Sequence, residues 1–209
     1  MVTVSSDSTG QSEVARHIAR TAARLFATQG FDATSVRMIV EAAGVTKPTL
    51  YYHFGSKEGL AQALLNRPLA GLAESLHEIA ASGGDAVSVL ERLFEAHFAF
   101  CREEPDRARF YYAICFGPLA TGLAGDLMRF GSQFDGTIVE AIRRLAVAGV
   151  VAPGRGADLL RTCRGLITSA VMEFLYKPDN DNDLGPELAR ALVRDILHGF
   201  GVSGSTGRG

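Results

Sequence analysis

The sequence predicts an all-α protein in which a small helical domain precedes a larger one. Apolar residues recur every three or four positions through most of the chain, and no stretch alternates apolar and polar residues over the length of a strand. Gly or Pro interrupts this pattern at short intervals. The 209 residues, 47% of them hydrophobic, suffice for one small and one larger domain.

These interruptions divide the chain into nine predicted helices. The first carries a stripe that includes Ile18, Ala22 and Phe26 and ends at Gly30, and the second is capped by Thr34 or Ser35. The following helices are predicted near 35–43, 46–53, 57–81, 86–103, 105–116, 123–148, 156–176 and 186–200. The predicted organisation is a disordered tail over 1–11, a first domain over 12–56, a larger domain over 57–200 and a second tail over 201–209.

Several functional classes are not supported by the composition. The three cysteines, Cys101, Cys115 and Cys163, lie in apolar stretches without CxxC spacing, so we expect small buried side chains. The histidines lack metal-ligand spacing, and no nucleophile elbow or phosphate loop occurs, so we expect no metal, no cofactor and no enzymatic activity. No apolar run approaches the ~18–20 residues of a membrane span, and the polar N-terminus does not resemble a secretion signal. We therefore expect a cytoplasmic protein without a membrane partner.

The segment 33–60 carries the most specific pattern in the chain. Two predicted helices of about eight residues flank Gly44 and Val45, which is the arrangement of a helix-turn-helix. Gly44 can adopt a positive φ without steric cost, so the chain can turn sharply there. The predicted small core consists of Ile39, Val40, Ala43, Val45, Leu50 and Phe54.

The second of these helices leaves a polar and aromatic face outside that core. Eight residues span about 12 Å, which matches the width of the DNA major groove. Lys47 and Tyr51 are predicted to read bases, and Pro48 occupies the first turn. Phosphate contacts are predicted for Thr49, Tyr52, His53 and Lys57.

The run GVTKPTLYYHFGSKEGL resembles the signature of TetR-family regulators, and residues 29–35 resemble the link between the first two helices of that family. The resemblance covers about residues 13–60. It implies a three-helix DNA-binding domain, a larger domain that binds a small effector, and a homodimer. It places base contacts at Arg37, Lys47, Pro48 and Tyr51, and backbone contacts at Thr49, Tyr52, His53 and Lys57. Gly55 departs from the family, whose members often have a larger polar residue there.

The net charge of −2 does not by itself favour a DNA partner. Residues 1–60 hold six basic and five acidic side chains, a slight local excess of positive charge. Arg16, Arg20 and Arg24 form one basic stripe on the first helix. This stripe is either a solvated face or a further phosphate contact.

Two late helices have broad apolar stripes, which predicts that they pack on two sides. The resemblance implies that they pair with their copies in the dimer, although they could instead cover only the core of their own chain. A two-fold dimer would place two reading helices about 34–36 Å apart or somewhat more, and would require a near-palindromic operator on double-stranded DNA. The predicted interface residues are Leu159, Cys163, Leu166, Ala170, Phe174, Leu188, Leu192 and Ile196.

An aromatic-rich zone of the larger domain predicts the effector pocket. Such a lining suits a small, largely apolar or aromatic molecule that makes a few hydrogen bonds. His97 is either a core histidine or an effector contact. The predicted lining residues are Phe94, His97, Phe98, Cys101, Tyr111, Cys115, Gln133 and Phe134.

The sequence thus predicts a sequence-specific transcriptional regulator, a repressor that an effector releases from its operator. An activator or a ligand-binding helical protein of the same fold is the alternative. The sequence does not identify the effector, the operator or the regulated genes.

Overall fold

The computed structural model describes residues 7–117, 124–177 and 183–200, which form nine helices and no strand. Their bounds lie within one or two residues of the predicted ones, apart from the start of the first helix. The helices are α1 Asp7–Gln29, α2 Val36–Ala43, α3 Lys47–Phe54, α4 Lys57–Ala81, α5 Ala86–Glu103, α6 Pro105–Phe116, α7 Ala124–Val147, α8 Gly156–Tyr176 and α9 Pro186–Phe200.

Helix α1 begins earlier than the sequence pattern suggested. It starts at Asp7, so residues 7–11, which were predicted to belong to a disordered tail, are helical. Positions 1–6 and the predicted tail over 201–209 lie outside the described residues. No helix of the described ranges is long and apolar enough to cross a membrane.

The chain forms two compact units, and they do not follow the boundary predicted between residues 56 and 57. Unit 1 comprises Met1–Leu69 and Glu104–Met128, and unit 2 comprises Ala70–Glu103 and Arg129–Gly209. Helix α6 joins unit 1 because it packs along α1. The rings of Phe26 and Phe110 lie 4.9 Å apart, and Phe31 lies 5.2 Å from Phe26.

Unit 2 is built around α5, which packs against α9 and α8. Burial of large apolar side chains stabilises this unit, at about 1.5–3 kcal/mol for each fully buried one. The α5 side chains of Leu90, Leu93, Phe94 and Phe98 are completely buried.

Candidate nucleic-acid interface

Side-chain caps hold the two helices of the helix-turn-helix. Ser35 caps α2, because its side chain accepts a hydrogen bond of 3.2 Å from the Met38 N–H. Thr46 caps α3 in the same way through the Thr49 N–H, at 3.3 Å. Between the helices, Gly44 adopts a φ of +62°, the left-handed conformation that the sequence predicted for it. These caps fix where α3 begins.

The core beneath α3 contains the predicted residues. Ile39, Val40, Ala43 and Leu50 are buried, whereas Val45 and Phe54 are half-buried. His17 of α1 adds a polar link, because its Nε2 lies 3.1 Å from the Ala43 carbonyl oxygen. Helix α1 is therefore attached to the end of α2 next to the turn.

The outer face of α3 is exposed. Tyr51 is 47% exposed and Tyr52 is 71% exposed, and Lys47 and Pro48 are exposed beside them. His53 is half-buried, and its ring contacts Tyr52 edge to face. Two adjacent exposed tyrosines next to a lysine form a patch that has the character of a binding surface.

Two predicted contact residues are already engaged within the motif. The Thr49 hydroxyl lies 2.8 Å from the Thr46 hydroxyl, so it takes part in the cap. Arg37 donates to Glu41 at 2.6 Å, and this hydrogen bond raises the pKa of the guanidinium. Both members of that pair are exposed, so Arg37 is held in place while its outer edge faces solvent.

Lys57 has a structural role that sequence reasoning missed. Its ammonium donates to the carbonyl oxygens of Phe31 at 3.0 Å and Thr34 at 3.1 Å, and it lies 4.2 Å from the centre of the Phe31 ring. These contacts tie the start of α4 to the link between α1 and α2. Two of the three ammonium N–H groups are thereby used inside unit 1, so the predicted phosphate contact of Lys57 is limited to the third.

The turn between α3 and α4 depends on two glycines. Gly55 has a φ of +72°, and its N–H donates to the Tyr51 carbonyl at 2.9 Å. At Gly59, a Cβ atom would lie 2.1 Å from the Phe54 carbonyl oxygen, so only glycine fits without movement of the backbone. A larger residue at position 55 would have to adopt a strained conformation. Sequence reasoning did not single out Gly59, because the close approach comes from the fold.

The predicted effector-pocket residues fall into both units. In unit 2, Phe94, His97, Phe98 and Cys101 are at most 3% exposed, and the His97 ring lies 4.9 Å from Phe134. Burial lowers the pKa of His97 to about 4, so its imidazole is neutral at pH 7. In unit 1, Tyr111 is buried, whereas Cys115 is exposed, which contradicts the expected burial of all three cysteines. Gln133 lines an open groove of unit 2 instead of this aromatic cluster.

Half of the predicted interface residues are buried inside the single chain. Their exposed fractions are at most 7%, so they belong to the core of unit 2 and offer almost no surface to a second subunit. We therefore withdraw these four from the predicted interface: Leu159, Cys163, Ala170 and Ile196. The periodicity located a buried stripe correctly but not the part of each helix that stays accessible. Leu166, Phe174, Leu188 and Leu192 are half-buried and remain predicted interface residues.

Comparison with known proteins agrees with this geometry. Residues 18–64 match the family of bacterial regulatory proteins, tetR family. The transcriptional repressor KstR2 of Rhodococcus jostii is 41% identical over 87 residues, which cover 42% of this chain and 43% of that protein. The match therefore spans less than half the length of this curated relative.

Solved structures extend the similarity to most of the chain. The TetR-family regulator PfmR of Thermus thermophilus is 26% identical, with a TM-score of 0.72 over 87% of this chain and 97% of that one. KstR2 of Mycobacterium tuberculosis has a TM-score of 0.77 at 22% identity, over 97% and 98% of the two chains. Fold and motif together define an N-terminal helix-turn-helix followed by a larger set of helices. Residues 18–64 form a domain of the tetR family, and the fold of most of the chain resembles that of a solved TetR-family regulator.

Proposed function

We propose that this protein is a transcriptional repressor that binds double-stranded DNA through α3 and is released by a small effector. The observation that carries the proposal is the exposed face of α3, a helix whose start is fixed by Thr46. This face carries Lys47, Pro48, Tyr51 and Tyr52. Lys47 and Tyr51 are the proposed base contacts, and Tyr52 and His53 are proposed phosphate contacts. Arg37 and Thr49 extend this surface.

The repressor acts as a homodimer in this proposal. The half-buried side chains of α8 and α9, Leu166, Phe174, Leu188 and Leu192, supply an apolar surface that a second copy would cover. A two-fold dimer presents α3 twice, so it recognises a near-palindromic operator. The similarity to the transcriptional repressor KstR2 supports repression, and not activation, of transcription.

The first test is binding to the DNA upstream of this protein's own gene at two salt concentrations. We expect selective binding that weakens steeply with salt, because phosphate contacts release counterions. Tyr51→Ala should lose about 1–3 kcal/mol of binding free energy. Tyr176→Ala is the matched control, since Tyr176 is similarly exposed but lies in unit 2.

A footprint on the same fragment reveals the palindrome and its position relative to the promoter. Failure to bind this fragment, followed by failure to enrich any sequence from a random library, would show that α3 does not read DNA. Equal losses in Tyr51→Ala and Tyr176→Ala would show that binding does not depend on the α3 face.

Effector control requires a link between the units, and we propose that α4 provides it. This helix begins in unit 1 at Lys57 and ends in unit 2 at Ala81, and Pro68 lies inside it next to the boundary between the units. Pro68 has no N–H to continue the helical hydrogen bonds, so α4 bends more easily there. We expect Pro68→Ala to change the effector concentration needed for release; unchanged operator affinity and unchanged release would exclude the bend as the switch.

A further inference from the structure

A groove of about 1000 Å³ lies within unit 2 between the second half of α4 and α7. Small side chains form much of its walls, among them Ala70 and Ala73 on α4 and Gly136 on α7. From Ala70 to Ala81 the groove follows α4 for about 16 Å, at 1.5 Å per residue. Its shape therefore suits a long, narrow molecule.

Helix α7 is attached to the C-terminal end of α4 by Arg144, which also lines this groove. The guanidinium donates to the carbonyl oxygens of Ala80 at 3.2 Å, Ser82 at 2.8 Å and Gly84 at 3.0 Å. These carbonyls belong to the last turn of α4 and the loop after it. Arg144 thus caps the C-terminus of α4 from a neighbouring helix.

Two positive side chains, Arg143 and Arg144, line this end of the groove together with one acid, Glu140. Arg143 and Glu140 make two hydrogen bonds to each other, at 2.9 and 2.6 Å, so their charges cancel. Arg144 donates to neutral carbonyls, and Asp85 lies near it, since hydrogen bonds from Ser88 and the charge of Arg144 lower the pKa of the Asp85 carboxyl. Glu74, the other acid of the groove, lies about 10 Å along α4 from Ala81.

Arg144 also has N–H groups beyond those that the carbonyls use. A guanidinium carries five N–H donors in a planar fork that fits a carboxylate. Its three hydrogen bonds therefore leave donors for an acceptor in the groove. A ligand oxygen that carries negative charge would bind here more strongly than a neutral one.

We propose that this groove binds an unbranched organic carboxylate, with its head on Arg144 and its chain along Ala73 and Gly136. The proposal deepens the proposed function by naming the site and chemical class of the effector, and only its regulatory step rests on that function. A bound carboxylate accepts hydrogen bonds from the Arg144 donors that the carbonyls leave, and by drawing the guanidinium into the groove it lengthens the hydrogen bonds to the α4 carbonyls. The end of α4 then loses its attachment to α7. Because α4 follows α3 directly in the chain, a change in the preferred conformation of α4 can reach α3.

The test uses octanoate, 1-octanol and octylammonium, measured by calorimetry on the full chain without DNA. We expect octanoate to bind at least about tenfold more tightly than 1-octanol, because charge-assisted hydrogen bonds are the stronger ones. Arg144→Gln should remove this difference. Octylammonium should bind most weakly of the three.

Two glycine substitutions locate the site. Gly136 lines the groove and Gly71 is exposed on α4 outside it, and a Cβ atom at either position meets nothing within 4 Å. Both positions therefore accept a side chain without a clash. Gly136→Phe should weaken octanoate at least about tenfold by filling the groove, and Gly71→Phe should leave the affinity within about twofold.

Three results would overturn the proposal: octanoate affinity unchanged in Gly136→Phe, equal losses in the two glycine variants, or a preference for octylammonium. Operator binding measured separately without ligand tests the proposed function alone. If octanoate binds as expected but leaves operator affinity unchanged, the regulatory step is wrong and the site stands. Gly136→Phe keeps the test decisive even if Arg144→Gln fails to fold.

Discussion

The helix-turn-helix and the α5–α8–α9 core of unit 2 are stabilised in different ways. Helices α2 and α3 have eight residues each and bury few side chains, so Ser35, Thr46 and Lys57 hold them through hydrogen bonds to backbone atoms. Helices α5 and α8 have 18 and 21 residues and are held mainly by buried apolar side chains. Short helices are marginal alone, so the exposed face of α3 depends on polar contacts that the core of unit 2 does not need.

The largest expected effect tests the apolar side of this comparison. Leu159 is completely buried, so Leu159→Ala should cost about 2–5 kcal/mol of unfolding free energy through lost burial and a cavity. Denaturant unfolding measures it. Leu192→Ala, at a half-buried position of α9, should cost less stability but weaken the dimer in sedimentation experiments. If Leu159→Ala weakened the dimer more than Leu192→Ala and cost less unfolding free energy, Leu159 would lie at a subunit interface.

The pH dependence of stability tests the same core. The pKa of His97 is lowered from 6.5 to about 4 by burial, so unfolded chains take up a proton below pH 6.5 while folded chains do not. The free energy of unfolding should be highest above pH 6.5 and should fall by on the order of 3 kcal/mol as the pH drops to about 4. Urea unfolding across this range measures the loss. His97→Gln should flatten the profile, and His77→Gln, at an exposed position, should leave it unchanged.

Lys57→Met tests the polar side of the comparison. The substitution keeps the aliphatic part of the side chain but removes two hydrogen bonds from a charged group, which should cost about 1–2 kcal/mol at this part-buried position. Denaturant unfolding measures the cost, with Lys47→Met as the exposed control. If Lys57 also contacts a phosphate, Lys57→Met should reduce the slope of log operator affinity against log salt concentration by about one for each α3 bound. An unchanged salt dependence would assign Lys57 to structure alone.

The smallest expected effect concerns the cap of α3. Thr46→Ala should lower the free energy of unfolding by about 1 kcal/mol, because the Thr49 N–H loses its acceptor. Operator affinity should fall with it, since Lys47 and Pro48 occupy the first turn. Thr46→Ser retains the hydroxyl and should restore both quantities. A loss of affinity in Thr46→Ser equal to that in Thr46→Ala would show that the methyl group, not the cap, matters.

The helices and the exposed face of α3 could be predicted from the sequence because their signals are local. Gly30, Gly44 and Pro105 mark helix ends by their own backbone preferences, and the exposed tyrosines follow from the spacing of Leu50 and Phe54. Burial by a distant segment has no such local signal. Periodicity could therefore not show that Leu159 and Cys163 face their own chain, nor that Cys115 stays exposed.

The role of Lys57 and the position of α6 were missed for the same reason. Lys57 contacts carbonyl groups 23 and 26 residues away in sequence, and no pattern around it distinguishes such a lysine from a solvated one. Helix α6 has aromatic residues on much of its surface, which predicts burial but not the partner. Only the structure shows that Phe110 packs on Phe26 of α1.

The packing of α6 on α1 has a consequence for chimaeric regulators. An N-terminal domain exchanged as one continuous segment would be cut from this chain within α4, after α3 and before unit 2 begins. Here such a cut at residue 69 would leave Phe26, now 1% exposed, without its neighbour Phe110. A transplanted head needs two segments, or a recipient whose own sixth helix offers a comparable aromatic ring.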